Sequence, residues 1–314
     1  MTNFKQTLST ITDYIKADIF PGASLALYDG QDWQEHYLGT QDGNHPVVPG
    51  LTYDLASVSK VVGVGTLCLF YLQAGKLDLD EKLSTYYPEV VDKTLTLRQL
   101  LSHSSGIDPF IRNRDDLDQA GLIAAINTIK VKSDKPFLYT DINFILLGLM
   151  LEKVSGTTLD KLFDSEIFQP FGMFETGFGP VEVAVPTVEG VPGGIVHDPK
   201  ARVLKEHTGS AGLFSTLKDL EIFVNHYLTD DFAKNMTQNI SQSNKERSVA
   251  WDLQGDWILH TGYTGTFVLI NIPAQRAAIF LSNRTYYKDE RAQWIEDRDA
   301  LIEIMKEELV HSDK

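Results

Sequence analysis

Ser57 and Lys60, three residues apart, are the pair in this 314-residue sequence best suited to covalent chemistry. They open a run of apolar and small residues, 61–72, that holds no proline and no charge and is followed by Gly75. That pattern predicts a buried helix with a glycine C-cap, both side chains projecting from one face of its first turn. A lysine at the head of an uncharged, buried helix is costly unless it is paired or used. One use is to accept the proton of a serine hydroxyl as that hydroxyl attacks a carbonyl carbon. The structural alternatives are a serine N-cap and a lysine that snorkels to solvent. The same spacing recurs at Ser215 and Lys218, so it does not decide between them.

Two further stretches offer partners. Tyr139-Thr140-Asp141 follows an extended Pro136-Phe137-Leu138 and opens a predicted helix, with Asp141 placed to cap it. A tyrosine beside a lysine ammonium can serve as base or proton shuttle; otherwise it is a core tyrosine next to a capping aspartate. His260-Thr261-Gly262-Tyr263 ends a β-rich run, where glycine lets a substrate approach the strand edge and a backbone N–H can meet an oxyanion. A Gly-rich hairpin turn has the same appearance. His207-Thr208-Gly209 repeats the triplet but follows no strand pattern, which favours the copy at His260.

Residues 1–18 carry Phe4, Leu8, Ile11 and Ile15 at helical spacing, then 23–28 and 33–39 form a hairpin about Asp29-Gly30. Helices are expected over 95–101, 115–130, 137–154, 158–168 and 217–228, with a long Gly- and Pro-rich loop over 171–206. β-rich runs at 248–253, 257–260, 266–272 and 276–282 precede a closing amphipathic helix over 289–310. Strands at both ends with helices between predict an α/β fold of the α+β type. One sheet is assembled from both termini, with a helical lobe inserted. The chain reads as a single unit over 1–314, with an α/β lobe of about 1–60 and 245–314 and a helical lobe of about 61–244.

A formal net charge of −15 argues against nucleic acid and anionic membrane as partners. The single cysteine, Cys68, falls in the apolar run and reads as a small buried hydrophobe. No apolar segment follows a basic start, and the run 144–151 is too short to span a bilayer, so a cytoplasmic protein is expected. His103 and His197 have no neighbours at metal-ligand spacing and are expected to stabilise loops. Trp251, Trp257 and Tyr263 either line a pocket or pack the sheet.

The order Ser-x-x-Lys, Tyr-x-Asp, His-Thr-Gly resembles the family of class C β-lactamases, D-Ala-D-Ala carboxypeptidases and related serine esterases. The segments 95–106, 139–148, 210–216 and 260–266 are similar to family segments too, and the likeness runs over about 20–285. The resemblance implies a β-lactamase/DD-peptidase-like fold with its cleft between sheet and helical lobe. Ser57 would be acylated by a small-molecule acyl substrate, with Lys60 as base or proton partner. Tyr139 would relay protons, and the N–H groups of Ser57 and Tyr263 would bind the oxyanion, with no metal or cofactor. Asp141, His260, Thr261, Gly262 and Tyr263 would border the substrate. The Ser215 copy, in a family segment beside the cleft, is taken as structural.

Two positions depart from the β-lactamase pattern. Asp141 stands where asparagine is usual; an ionised carboxylate cannot donate to a substrate and would hold Lys60 protonated. His260 stands where lysine is usual and is mostly neutral at neutral pH. Both changes weaken attraction for an anionic substrate, and a cytoplasmic location would separate the protein from peptidoglycan. The expected activity is an esterase-like hydrolysis of small esters or amides. The alternatives are a D-Ala-D-Ala carboxypeptidase or β-lactamase proper, and a non-catalytic protein that binds acyl compounds.

Overall fold

Strands from the two ends of the chain meet in one antiparallel sheet in this computed structural model, which describes residues 4–311. The strands are β1 (Gly22–Tyr28), β2 (Trp33–Gly39), β3 (Thr52–Asp54), β4 (Gly177–Phe178), β5 (Leu213–Thr216), β6 (Asp252–Gln254), β7 (Trp257–Thr261), β8 (Phe267–Asn271) and β9 (Arg276–Ser282). The helices are α1 (Lys5–Lys16), α2 (Thr66–Gln73), α3 (Leu83–Tyr86), α4 (Leu97–Leu101), α5 (Gln119–Asn127), α6 (Asp141–Ser155), α7 (Leu159–Phe163), α8 (Gln169–Phe171), α9 (Pro199–Leu204), α10 (Leu217–Thr229) and α11 (Arg291–Val310). Of the helix expected over 1–18, residues 1–3 lie outside the described range.

The large sheet has the order β2-β1-β9-β8-β7-β6, assembled from both chain ends as expected, with the C-terminal β9 paired to the N-terminal β1. Side chains alternate between two buried faces. Leu25, Leu27, Phe267, Leu269, Ala278 and Phe280 pack under α1 and α11. Ala26, Val268, Ile270, Ala277 and Ile279 join the larger core that includes α2, α6 and α10. The core helix α6 is buried continuously from Ile142 to Leu151, which suits a segment apolar on every side.

Three parts differ from the sequence expectation. The Ser57 stretch is not one α-helix: Ala56–Val58 is a 3₁₀ turn, Val61–Gly65 is wound wider, and only Thr66–Gln73 is α-helical. The entry residue Ala56 is left-handed (φ 45°), and the Thr66 hydroxyl donates to the Val61 carbonyl at 2.7 Å, five residues back. Second, the 171–206 region carries β4 and α9 within its loops. Third, β3, β5 and β4 form a separate small sheet that stitches residues 52–54 to 213–216. Ala56–Gln73 is long and apolar enough to cross a bilayer, yet 78% of it is buried inside the fold.

Gly209 shows how closely the segment before β5 lies on α6. A Cβ there would sit 2.2 Å from the Phe144 carbonyl oxygen and 2.8 Å from Val64 Cγ2. Backbone atoms cannot yield as a flexible side chain does, so Gly209→Ala is expected to destabilise by about 2 kcal/mol. A urea midpoint equal to that of the wild type would contradict this packing.

Candidate active site

Lys60 is fully buried, and its ammonium meets three acceptors. It donates to Ser57 Oγ at 2.8 Å, to Asp141 Oδ1 at 2.7 Å and to the Ser210 carbonyl at 2.8 Å. Three donors and three acceptors leave none unsatisfied, which is how a cation survives inside an apolar helix. Burial pulls its pKa down, but the Asp141 charge and the hydrogen bonds together outweigh that and hold it above the ordinary lysine value. The ammonium comes from the residue just ahead of the wide turn, while Ser210 and Asp141 come from the segment before β5 and the start of α6.

The Ser57 turn is tied down from three directions. Asp54, at the end of β3, accepts from the Ala56 N–H at 2.8 Å and from the His197 N–H at 2.7 Å. Its backbone carbonyl accepts from Thr264 Oγ1 at 3.1 Å, and that of Leu55 accepts from Thr266 Oγ1 at 3.2 Å. The Leu55 N–H donates to the Leu213 carbonyl at 2.9 Å. Burial pushes the Asp54 carboxyl up to about 6, against the pull of the two N–H groups. Sequence reading did not single out Asp54. Its reading of Gly262 also changes: a Cβ there would lie 2.2 Å from Thr266 Oγ1 and 2.7 Å from the Leu55 carbonyl. That glycine lets the end of β7 close on the Ser57 turn.

Tyr139 stands beside the lysine, its ring centroid 5.2 Å from Lys60 Nζ. His103 stacks on it at 4.3 Å between centroids. The imidazole is fixed in turn: Nδ1 accepts from Asn143 Nδ2 at 2.9 Å and from the Thr140 N–H at 3.4 Å, while Ser105 Oγ donates to Asn143 Oδ1 at 2.7 Å. Burial first, then the Arg247 and Lys60 charges, keep His103 neutral. The expected loop histidine therefore also holds the tyrosine ring.

Asp141 is not the cap of α6. Thr140 is, its Oγ1 accepting from the Ile142 N–H at 3.3 Å, and Asp141 as the first helical residue turns toward the cations. Its second oxygen, Oδ2, pairs with Lys200 at 3.0 Å. Burial would raise the Asp141 pKa, but Lys60 and then Lys200 hold it well below the carboxylate range. Lys200 was missed in the sequence. The signal was there in Asp198-Pro199: an N-cap followed by proline at the first helical position, whose Oδ1 accepts from the Ala201 N–H at 2.8 Å.

A cleft of about 1210 Å³ opens over the site, lined by Ser57, Tyr139, Asp141, Thr261, Gly262 and Tyr263 among others. Tyr263 is set at its edge, its hydroxyl donating to Asp289 and its ring 4.6 Å from the Arg284 guanidinium and 5.6 Å from the His197 ring. His260 does not line the cleft. It is 4% exposed, its ring centroid 6.3 Å from that of Tyr139 and 6.5 Å from that of Trp251. Burial, then the Lys60 and Arg247 charges, hold it neutral. The wall is nevertheless cationic, carrying Arg114, Lys200, Arg202, Arg284, Arg291 and Arg298 against Asp141, Asp198 and Asp289. The charge missing at position 260 thus leaves no uncharged cleft, and it gives no ground for excluding anionic substrates.

The duplicate motifs resolve as structure. Ser215 Oγ pairs with Thr176 Oγ1 at 2.7 Å, whereas Lys218 pairs with Glu221 at 2.7 Å. His207 pairs with Glu152 at 2.9 Å. Trp251 and Trp257 are core residues of the two faces of the sheet. Cys68 is buried, its thiol pushed up to about 12. Among the described residues no three His, Cys, Asp or Glu side chains are grouped to hold a metal.

Fold and site together define a serine hydrolase: a serine and a buried lysine at the base of a cleft between a sheet and a helical region. The sequence profile of the beta-lactamase family matches residues 9–302, and the chain belongs to that family. It is 24% identical over 303 residues to a "Putative D-alanyl-D-alanine carboxypeptidase" of Escherichia coli (strain K12), covering 76% of this chain and 70% of that one. Among solved structures it is similar to "EstCE1, a hydrolase with promiscuous acyltransferase activity" (TM-score 0.76, 18% identity, 95% of this chain and 97% of that one). It is also similar to a class C beta lactamase from Rhodobacter sphaeroides (TM-score 0.71, 19% identity, 94% and 99%).

Proposed function

We propose that this chain hydrolyses small esters or amides through an acyl-enzyme on Ser57. The observation that carries this reading is Lys60 Nζ, fully buried and 2.8 Å from Ser57 Oγ. With all three ammonium protons donated, Lys60 must first lose one before it can act as base. It then takes the Ser57 proton as Oγ bonds to the acyl carbon. The N–H groups of Ser57 and Tyr263 would bind the oxyanion, and Tyr139, 39% exposed at the cleft, would pass a proton to the leaving group. Water then releases the acyl group. Apolar residues of the cleft, including Ile111, Val188, Val191, Ile195 and Ile295, would take an acyl chain.

One feature favours an ester over a β-lactam or a peptidyl terminus. Asp141 has both oxygens on lysines and offers no amide donor to a substrate carbonyl. The test is intact-protein mass after brief exposure to p-nitrophenyl butyrate and, separately, to a penicillin, for wild type and Ser57→Ala. An acyl adduct or turnover with the ester only, absent in Ser57→Ala, is expected. A lasting penicillin adduct on Ser57 would move the reading to a cell-wall peptidase, and no reaction with either to a binding protein.

A further inference from the structure

Asp141 is shared by two ammonium groups, only one of which touches the nucleophile. Its Oδ1 lies 2.7 Å from Lys60 Nζ and its Oδ2 3.0 Å from Lys200 Nζ. Lys200 is no surface cation: its side chain is 13% exposed, and a second carboxylate, Asp198 Oδ2, holds it at 3.0 Å. Asp198 also caps α9, so the helix start and the lysine are fixed by one residue. Burial works against the Lys200 charge, but Asp141 and Asp198 prevail and it stays protonated.

A carboxylate bonded to one ammonium stabilises that ammonium fully. A second cation on the other oxygen repels the first and competes for the same negative charge. We propose that Lys200 is a positioning residue that, by occupying half of the Asp141 carboxylate, keeps Lys60 able to release its proton and so sets the pH at which Ser57 is acylated. The proposal rests on the acyl-enzyme reading above. Lys200 itself gives up no proton and touches no reacting atom.

The other groups that face Lys60 are accounted for. Tyr139 precedes α6, His103 follows α4 and His260 lies on β7; both imidazoles are neutral. Arg247 is buried, and its charge is tied to Asp252 at 3.3 Å. Ser57 and the Ser210 carbonyl carry no charge. The other cation on α9, Arg202, donates to the His197 carbonyl at 3.0 Å. A substitution at Lys200 alters none of these charges.

The test is the pre-steady-state rate of Ser57 acylation by p-nitrophenyl butyrate as a function of pH, for wild type, Lys200→Met, Lys200→Gln and Lys200→Arg. Methionine removes charge and donors, glutamine keeps donors without charge, and arginine keeps both. In the first two the rising limb is expected to move upward by about one pH unit. Acylation at neutral pH then falls about tenfold, while the alkaline plateau is retained. Lys200→Arg is expected to follow the wild type. If Lys200→Met does not fold by its melting curve, the glutamine and arginine variants carry the comparison. An unmoved limb, or a loss equal at every pH, overturns the proposal; a rise in KM confined to anionic esters does so too, since Lys200 would then be a substrate contact. A wild type that forms no ester adduct overturns this proposal and the acyl-enzyme reading together, whereas an acylating wild type with unmoved variants overturns the role of Lys200 alone.

Discussion

Lys60→Met is expected to slow acylation of Ser57 by about a thousandfold or more while leaving the protein folded. The loss follows from Ser57 Oγ having Lys60 as its hydrogen-bonded basic neighbour, at 2.8 Å. Folding should survive because each group that Lys60 leaves behind has another recourse. Asp141 keeps Lys200 at 3.0 Å, so no buried carboxylate is left alone. Ser57 lines the cleft, where water can reach it. The Ser210 carbonyl does lose its donor, which costs about 1–3 kcal/mol. Against that, methionine matches the length of lysine and needs no solvation, and the usual cost of removing one partner of a buried pair, a stranded charge, is avoided because Lys200 stays on Asp141. Urea unfolding and the ester burst read the two effects separately. A rate within tenfold of wild type would remove Lys60 from the mechanism, and a collapse of the fold would show that the ammonium is chiefly structural.

Much of this site was legible because its parts are local patterns. The sheet could be read from alternation and turn residues: β2 and β9 fall on the expected segments, and β9 closes against β1. Ser57 and Lys60 are three residues apart, so their meeting needs only one turn. The unread parts depend on contacts distant in sequence. Lys200 reaches Asp141 across 59 positions, and Asp54 reaches His197 across 143. The helix expected from Ser57 onward failed at its start because Asp54 and the small sheet hold Ala56 left-handed, a tertiary constraint that propensity does not register. Asp141 was misread as a cap for a related reason. Thr140 and Asp141 both suit an N-cap, and only the buried cations decide which of them turns inward.

Asp54 leads to the second large effect, in which activity and stability part company with pH. Asp54→Asn retains one acceptor oxygen for two backbone donors, the N–H groups of Ala56 and His197, and sets an amide donor against one of them. The turn that aims Ser57 should shift, and a displacement of about 1 Å near a reacting atom costs about a hundredfold in kcat/KM. The stability change has a definite sign. The folded carboxyl is pushed up to about 6 by burial, above its unfolded value of about 3.9, so the folded protein binds this proton more tightly. Its stabilising contribution is fully present below the unfolded value and is lost as pH rises through about 6, amounting to about 3 kcal/mol at most. Asparagine does not titrate. The stability advantage of wild type over Asp54→Asn should therefore shrink by about 2–3 kcal/mol between about pH 4 and 7, while the loss of activity persists at neutral pH. Paired urea titrations across that range, with ester turnover at neutral pH, make the measurement. A stability gap that stays constant would mean that Asp54 ionises as an ordinary carboxylate and is less buried than its position implies. Full turnover by Asp54→Asn would mean that β5 and the 262–266 turn hold the nucleophile without it.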